Sequence, residues 1–416
     1  MAGQLASRDL EPGRLEYWDA MSSWLTAIGL PGWLILMGAL TAIGPVSIDM
    51  YLPAFPAIAQ GLNTSAGQVE RTLAAYLAGM AWAQLAYGPL ADRYGRIPPL
   101  YAGLALYILA SAGCALAPNV EVLTACRLVQ AMGGASGMVI SRAVIRDHYD
   151  TQEAARALSM LMLVMGVAPI LAPVIGGQLL ELTGWRGLFV VMTAGAAVLM
   201  FTVSRIMVES LHPERVILLS WGNILRTYGT LLRDRSFMLF SLSGGMGSAG
   251  MFGYIAGSPR VFIEYFGIAP QYYGLLFGMN AASLIMGSQI NARLLNNRRP
   301  EQILPWALRA MMVAGLASVV LTLAGWVSLP LLMACLMCFL ASQGFVGPNS
   351  AAMAMSAQGK HLGSASAMLG TITMSCGAFA GIMISLWPTT SPLPLALVLA
   401  TCGFLAWLIG RAARAT

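Results

Sequence analysis

Charge is scarce in this 416-residue chain: only 10% of its residues are charged, against roughly a quarter in an ordinary soluble domain. Lysine is nearly missing, with Lys360 alone among 23 basic residues. The three histidines, His148, His212 and His361, are scattered through polar stretches and suggest no metal site. Six cysteines sit in or beside apolar stretches; Cys335 and Cys338 have CxxC spacing but lack a second ligand pair, so they read as helix packing. No HExxH, GxSxG or nucleotide P-loop occurs in a fitting context, which argues against an integral-membrane enzyme and an ATP-driven pump. Residues 1–30 carry mixed charge without the apolar core expected of a cleavable signal peptide, and Met21 could serve as an alternative start.

What fills the chain is apolar. Hydrophobic residues make up 58%, with 45 glycines, and mean hydropathy is +0.72. About twelve apolar bands begin near Trp33, Val69, Leu100, Val122, Ala155, Leu188, Phe237, Tyr273, Ile303, Leu331, Gly363 and Leu395. Each can supply the ~20 residues a helix needs to cross a bilayer, and a helix satisfies its own backbone there. Nineteen of the 23 basic residues fall near the termini or on the side of the loops after even-numbered bands, in those loops or in the adjoining helix; odd-numbered loops hold Arg71, Arg186 and Arg260. The positive-inside rule then puts both termini and the long central loop of this multi-pass membrane chain in the cytoplasm. The net charge of +6 is explained by loops beside anionic lipid, without nucleic acid.

The longest polar interruption divides the bands six and six. The expected organisation is a cytoplasmic tail at 1–30, a six-helix half at 31–208, a cytoplasmic linker at 209–235 and a second six-helix half at 236–416. A decayed repeat links the halves: GPLADRYGRIPPL from Gly88 and GSQINARLLNNRRP from Gly287, with Asn291 where the first copy has Asp92.

Ionisable residues deep in the bands are costly and point to function. Asp49 lies in the outer half of band one and Arg127 in band four, about 8 residues or ~12 Å below the outer boundary at helical rise. At matching depths they can neutralise each other or exchange partners when the carboxylate takes a proton. Glu70, Arg71, Glu121, Glu181, Arg260 and Glu264 lie at outer helix ends and read as snorkelling side chains. Tyr51, Tyr76, Gln84, Met165, Tyr254, Asn280 and Gln343 are candidates to line a cavity, alongside Trp82, Asn349, Met160 and Met162. Methionine suits an adaptable surface, although such stripes are commonly packing.

Two stretches suggest gating. Pro169 and Pro173 each remove a backbone donor from band five and should bend it, while Gly176 and Gly177 permit close packing. In the loop after band two, Gly88 is read as a close-contact position and Asp92 as facing an arginine or a helix N-terminus. Arg93, Gly95 and Arg96 complete a charged turn that could latch one conformation.

These residues resemble the major facilitator superfamily, and within it the bicyclomycin and chloramphenicol resistance group (Bcr/CflA) of drug:proton antiporters, over about residues 30–410. GPLADRYGR (88–96) is similar to the superfamily's signature loop, RLVQAMGGA (127–135) to its fourth-helix motif, and APILAPVIGG (168–177) to the antiporter motif of helix five. DMYLP at 49–53, GYIAGSPRVFIEYFG at 253–267 and LGSASAMLG at 362–370 look characteristic of the subgroup. The chain departs from the family pattern at Ala172, Ile97 and Ala131, and Thr41 stands where some relatives carry a second acidic residue.

The resemblance implies an all-α membrane protein of twelve helices in two halves. It also implies a monomeric antiporter that exports small amphipathic compounds by alternating access, with no cofactor, driven by the proton gradient. Its partners would be substrate, protons and membrane lipid, with Asp49 and Arg127 in proton coupling. The competing reading is a proton-linked carrier of a nutrient, nucleoside or other metabolite on the same fold.

Overall fold

The computed structural model describes residues 32–148, 151–211, 221–356, 358, 362–387 and 391–414, all of whose regular elements are helical. The tail at 1–30 and His212, Lys360 and His361 lie outside the described residues. Helix α1 (Gly32–Asp49) ends in a 3₁₀ turn, Leu52–Ala54, and a short α2 (Phe55–Gly61). There follow α3 (Ala66–Tyr94), α4 (Ile97–Ala115), α5 (Val120–His148) and the 56-residue α6 (Thr151–Ile206). Then come α7 (Trp221–Arg233) and α8 (Arg235–Pro259), the latter running into a π-helical turn, Arg260–Tyr265. The chain closes with α9 (Pro270–Leu294), α10 (Pro300–Leu323), α11 (Leu329–Met355), α12 (Leu362–Ser385) and α13 (Leu393–Ala413).

Gly184 splits α6 into two rods. Its φ of +67° and ψ of 177° suit glycine and few other residues. The break falls here, whereas the chain passes through Pro169 and Pro173 without leaving helical geometry. Proline inside the span is therefore tolerated without a break, since neighbouring helices in a bundle can satisfy the freed carbonyls. The two rods of α6 supply the fifth and sixth spans, completing an all-α membrane fold of twelve spans.

Among the described residues, eight helices are long and apolar enough to cross a bilayer by length and composition alone. Helices α3, α8 and α9 are not among them, and the reason lies in their buried faces. Helix α3 buries Glu70, Thr72 and Gln84; α8 buries Ser241, Ser243, Ser248 and Ser258; α9 buries Asn280, Ser283 and Asn291. Their polar residues point into protein, while Leu109, Val198, Leu275 and Val313 on other surfaces are exposed. This is the burial pattern that lipid as solvent requires.

The helices sort by contact into two groups. In the first, α3 packs on α5, α5 on α4, and α6 on α1 and α4; in the second, α8 packs on α12 and α13, α10 on α11 and α13, and α9 on α11. The principal contacts between groups run along two seams, α3 with α12 and α6 with α9. Helix α7 lies inside the stretch read from sequence as loop. Tyr228 and Leu231 lie three apart on this helix, as neighbours on one face do, Leu231 is buried, and α7 packs on α8 and α12. Asp234 caps the following helix by accepting from the Phe237 backbone N–H at 3.0 Å.

Candidate functional site

The bundle end that carries α7 and the C-terminal end of α13 forms the linker face. A cavity of about 460 Å³ lies there between α3, α5, α7 and α12, lined by Gln84, Gly88, Asp92, Arg96, Arg142, Arg146, Asp147, Tyr228 and Ser364 among others. Its rim is held by a charge cluster. Arg96 donates to Asp92 at 2.6 Å and through Nε to Asp147 at 2.8 Å. The Glu209 carboxylate accepts from the backbone N–H groups of Arg96 and Ile97, at 2.8 and 3.1 Å, so it caps the start of α4. Gly95, at φ +90°, leaves room for Glu209, which a Cβ there would strike.

The sequence points to Asp92 and Arg96 but not to Asp147 and Glu209. Both are acidic residues set among arginines in polar stretches, which is the only signal they give. Gly88 needs correction: a Cβ there would meet nothing within 4 Å, so it is no close-contact position. Arg93 is in the last turn of α3 and takes no part in the ion pairs of this cluster.

The opposite face is sealed. Arg260 Nη2 donates to Glu70 Oε2 at 2.7 Å, and Arg260 Nη1 to the Trp387 carbonyl at 2.6 Å, tying α3, α8 and the end of α12 together. Arg71 reaches Ser385 at 3.4 Å. Glu70 and Arg260 are buried, which corrects the snorkelling account of both. A snorkelling side chain keeps its charge in water, whereas these two face each other across the seam. Close packing continues toward α1 and α9: a Cβ on Gly176 would collide with the Met50 carbonyl, and one on Gly177 would crowd that of Pro270.

Between the two faces lie the remaining residues expected from sequence. Arg127 is fully buried, with its guanidinium 4.4 Å from the Tyr51 ring centre and 4.3 Å from that of Tyr76. Its Nη1 donates to Gln130 at 2.6 Å, and Gln130 donates on to Ser111 at 2.8 Å, while Arg127 Nε and Nη2 have no hydrogen-bond partner. Tyr51 donates to Thr72 at 2.8 Å, since the Thr72 hydroxyl already donates to the Val69 carbonyl. The tyrosines thus hold the cation by their ring faces.

Asp49 is the last residue of α1 and is 3% exposed. Among the described residues its carboxylate has neither an ion pair nor a hydrogen bond, so the expected contact with Arg127 is not made in this conformation. Equal depth on two helices says nothing about bearing around each axis. Asp49 instead lies in the neighbourhood of Tyr76 and, across the seam, of Tyr254 and Tyr273 of the second group. There Asn280 donates to the Tyr254 hydroxyl at 3.0 Å, Tyr254 stacks on Phe277 with centres 5.5 Å apart, and Gln343 donates to Ser248 at 2.9 Å. Of the residues proposed to line a cavity, Gln84 borders the linker-face one and Tyr51, Tyr76, Tyr254, Asn280 and Gln343 are sealed in these clusters. The side chains of Met160, Met162 and Met165 lie outside the described residues.

A bundle of two helix groups, sealed at one face and opened by a charged cavity at the other, defines the class as a membrane transporter. The chain belongs to the Major Facilitator Superfamily, whose family model matches residues 37–381. It is 35% identical to an uncharacterized MFS-type transporter, YdgK, of Bacillus subtilis, over 86% of this chain and 89% of that one. It is 26% identical to a bicyclomycin resistance protein homolog of Haemophilus influenzae, over 89% of this chain and 92% of that one. Among solved structures, a bacterial homologue of the human lysosomal transporter Spinster, inward-facing and occupied, superposes with a TM-score of 0.71 at 14% identity. That superposition covers 92% of this chain and 96% of the other and bears on the fold alone.

Proposed function

We propose that the chain is a proton-coupled antiporter that exports small amphipathic compounds across the bacterial inner membrane, with its linker face toward the cytoplasm. The observation that carries this reading is Asp49: a buried carboxylate without a pairing group, set between the two helix groups. A carboxylate in such a place is stabilised by a bound proton or by the polar head of a substrate, and the two compete for it. In the inward-open state Asp49 gives up its proton and substrate enters from the linker face. In the outward-open state a proton returns and substrate leaves. Each ligand shifts the balance only by its differential affinity for the two states. The bicyclomycin resistance homologue supports a drug-like cargo.

The test is substrate-induced collapse of a pH gradient in everted vesicles. The expected result is collapse by wild type and none by Asp49→Asn at equal membrane abundance. Drug accumulation in efflux-deficient cells separates the directions: lower accumulation on expression agrees with export, and higher accumulation would replace it with proton-linked uptake.

A further inference from the structure

Away from the seam, the outer surface of the second helix group carries a concentration of positive charge that the transport cycle does not use. Arg309, Arg411, Arg414 and Trp407 line one open depression between α10 and α13 near the linker face. The two helices are held in register by small residues. Gly410 faces Leu308, and Gly403 faces the Met311–Met312 backbone, so Arg309 and Arg411 lie at one level.

Arg309 is unlike an ordinary loop arginine. It stands nine residues inside α10, ~13 Å from Pro300 at helical rise, on the exposed side of the helix. The positive-inside rule explains Arg411 and Arg414 at the end of α13, but not a cation within a span on its outer surface. Its guanidinium lies 5.0 Å from the Trp306 ring centre, and that of Arg411 lies 5.8 Å from Trp407. Trp306 is 67% exposed.

No acidic side chain pairs with these arginines among the described residues. Burial, followed by repulsion from Arg309 and Arg411, holds the Arg414 guanidinium below its ordinary pKa. Arg414 Nε also donates to the Gly410 carbonyl at 3.2 Å, which turns the side chain back along α13. Three guanidiniums and two indoles at the boundary of the apolar surface match one chemistry, since guanidinium binds phosphate oxygens bidentately. Tryptophan favours the headgroup level of a bilayer.

We infer that the depression between α10 and α13 is a binding site for an anionic phospholipid, whose headgroup phosphate is clasped by Arg309, Arg411 and Arg414 and flanked by Trp306 and Trp407. Basic pockets between spans are suited to such headgroups, and a headgroup with two phosphates neutralises more of the cluster. The site is independent of the direction of transport.

The experiment uses the full chain, purified and exchanged into an equimolar mixture of tetraoleoyl cardiolipin, dioleoylphosphatidylglycerol and dioleoylphosphatidylethanolamine, with retained lipid counted by native mass spectrometry. Wild type should retain cardiolipin about tenfold over the zwitterionic lipid, a difference of ~1.4 kcal/mol. The triple variant Arg309→Gln/Arg411→Gln/Arg414→Gln should lose that preference, and Arg298→Gln/Arg299→Gln should keep it. Equal retention of the zwitterionic lipid by wild type would overturn the site, as would an unchanged triple variant or an equal loss in the control pair. Should the triple variant not fold, the wild-type lipid ratio and Arg309→Gln alone decide the matter: a preference that Arg309→Gln leaves intact overturns the site, and one that it weakens supports it.

Discussion

Glu70 and Arg260 form the one ion pair that joins the two helix groups among the described residues, with Arg260 Nη2 donating to Glu70 Oε2 at 2.7 Å and both residues buried. Removing one partner of such a pair costs about 3–5 kcal/mol, because the other charge stays buried and alone. Glu70→Gln should therefore weaken the sealed state and populate forms open at that face. A cysteine placed at Ser385 would report this as faster labelling by a membrane-impermeant maleimide. The exchange Glu70→Arg/Arg260→Glu should restore slow labelling. Labelling unchanged by Glu70→Gln would show that packing alone keeps that face shut.

Arg127→Lys keeps the charge and loses the flat guanidinium between Tyr51 and Tyr76. Cation–π contacts in a desolvated site are worth about 2 kcal/mol, so transport should fall by about tenfold or more. Gradient-driven uptake into everted vesicles at matched expression measures it. Wild-type rates in Arg127→Lys would mean that a point charge suffices.

Glycines of the gating stretches should respond oppositely. At Gly88, inside α3, a methyl group meets open space; Gly88→Ala should be neutral or stabilise by about 0.5–1 kcal/mol through helix propensity. At Gly176 the same methyl group strikes the Met50 carbonyl, and Gly176→Ala should cost about 1–3 kcal/mol by overpacking. Thermal unfolding in detergent distinguishes them, and similar midpoints for the two variants would contradict the close approach of α6 to the end of α1.

Asp234 lies at the linker face, outside the spans, and its carboxyl is held below the ordinary aspartate range by the Phe237 backbone N–H, with help from Gln358. A depressed folded-state pKa contributes stability that is present above the unfolded value, near pH 4, and is lost as pH falls through the folded one. Asp234→Ala should lower stability by about 0.5–2 kcal/mol at pH 7 through loss of the cap. The difference from wild type should narrow below pH 4. A gap that stays constant down to pH 3 would assign the effect to something other than the charged cap.

The spans were legible because lipid demands long apolar helices and because arginine marks their ends. Charge pairing was not. The depths of Asp49 and Arg127 could be counted from residue numbers, but which way each points depends on helix rotation, and Arg127 turned to two tyrosines. Glu70 and Arg260 looked like separate helix-end charges because they are 190 residues apart. The decayed repeat concealed a polar contact too: Asn291, the counterpart of Asp92, accepts from Asn349 at 2.7 Å instead of meeting an arginine. Helix α7 was hidden by the charges around it, although its apolar residues already had helical spacing.

Gly184 has a further mechanical meaning. With a single left-handed residue between the two rods of α6, no slack chain separates the seam rod, which faces α9, from its companion. A tilt of the first rod should therefore reach the second through one residue, and the backbone freedom of Gly184 sets how much of it arrives.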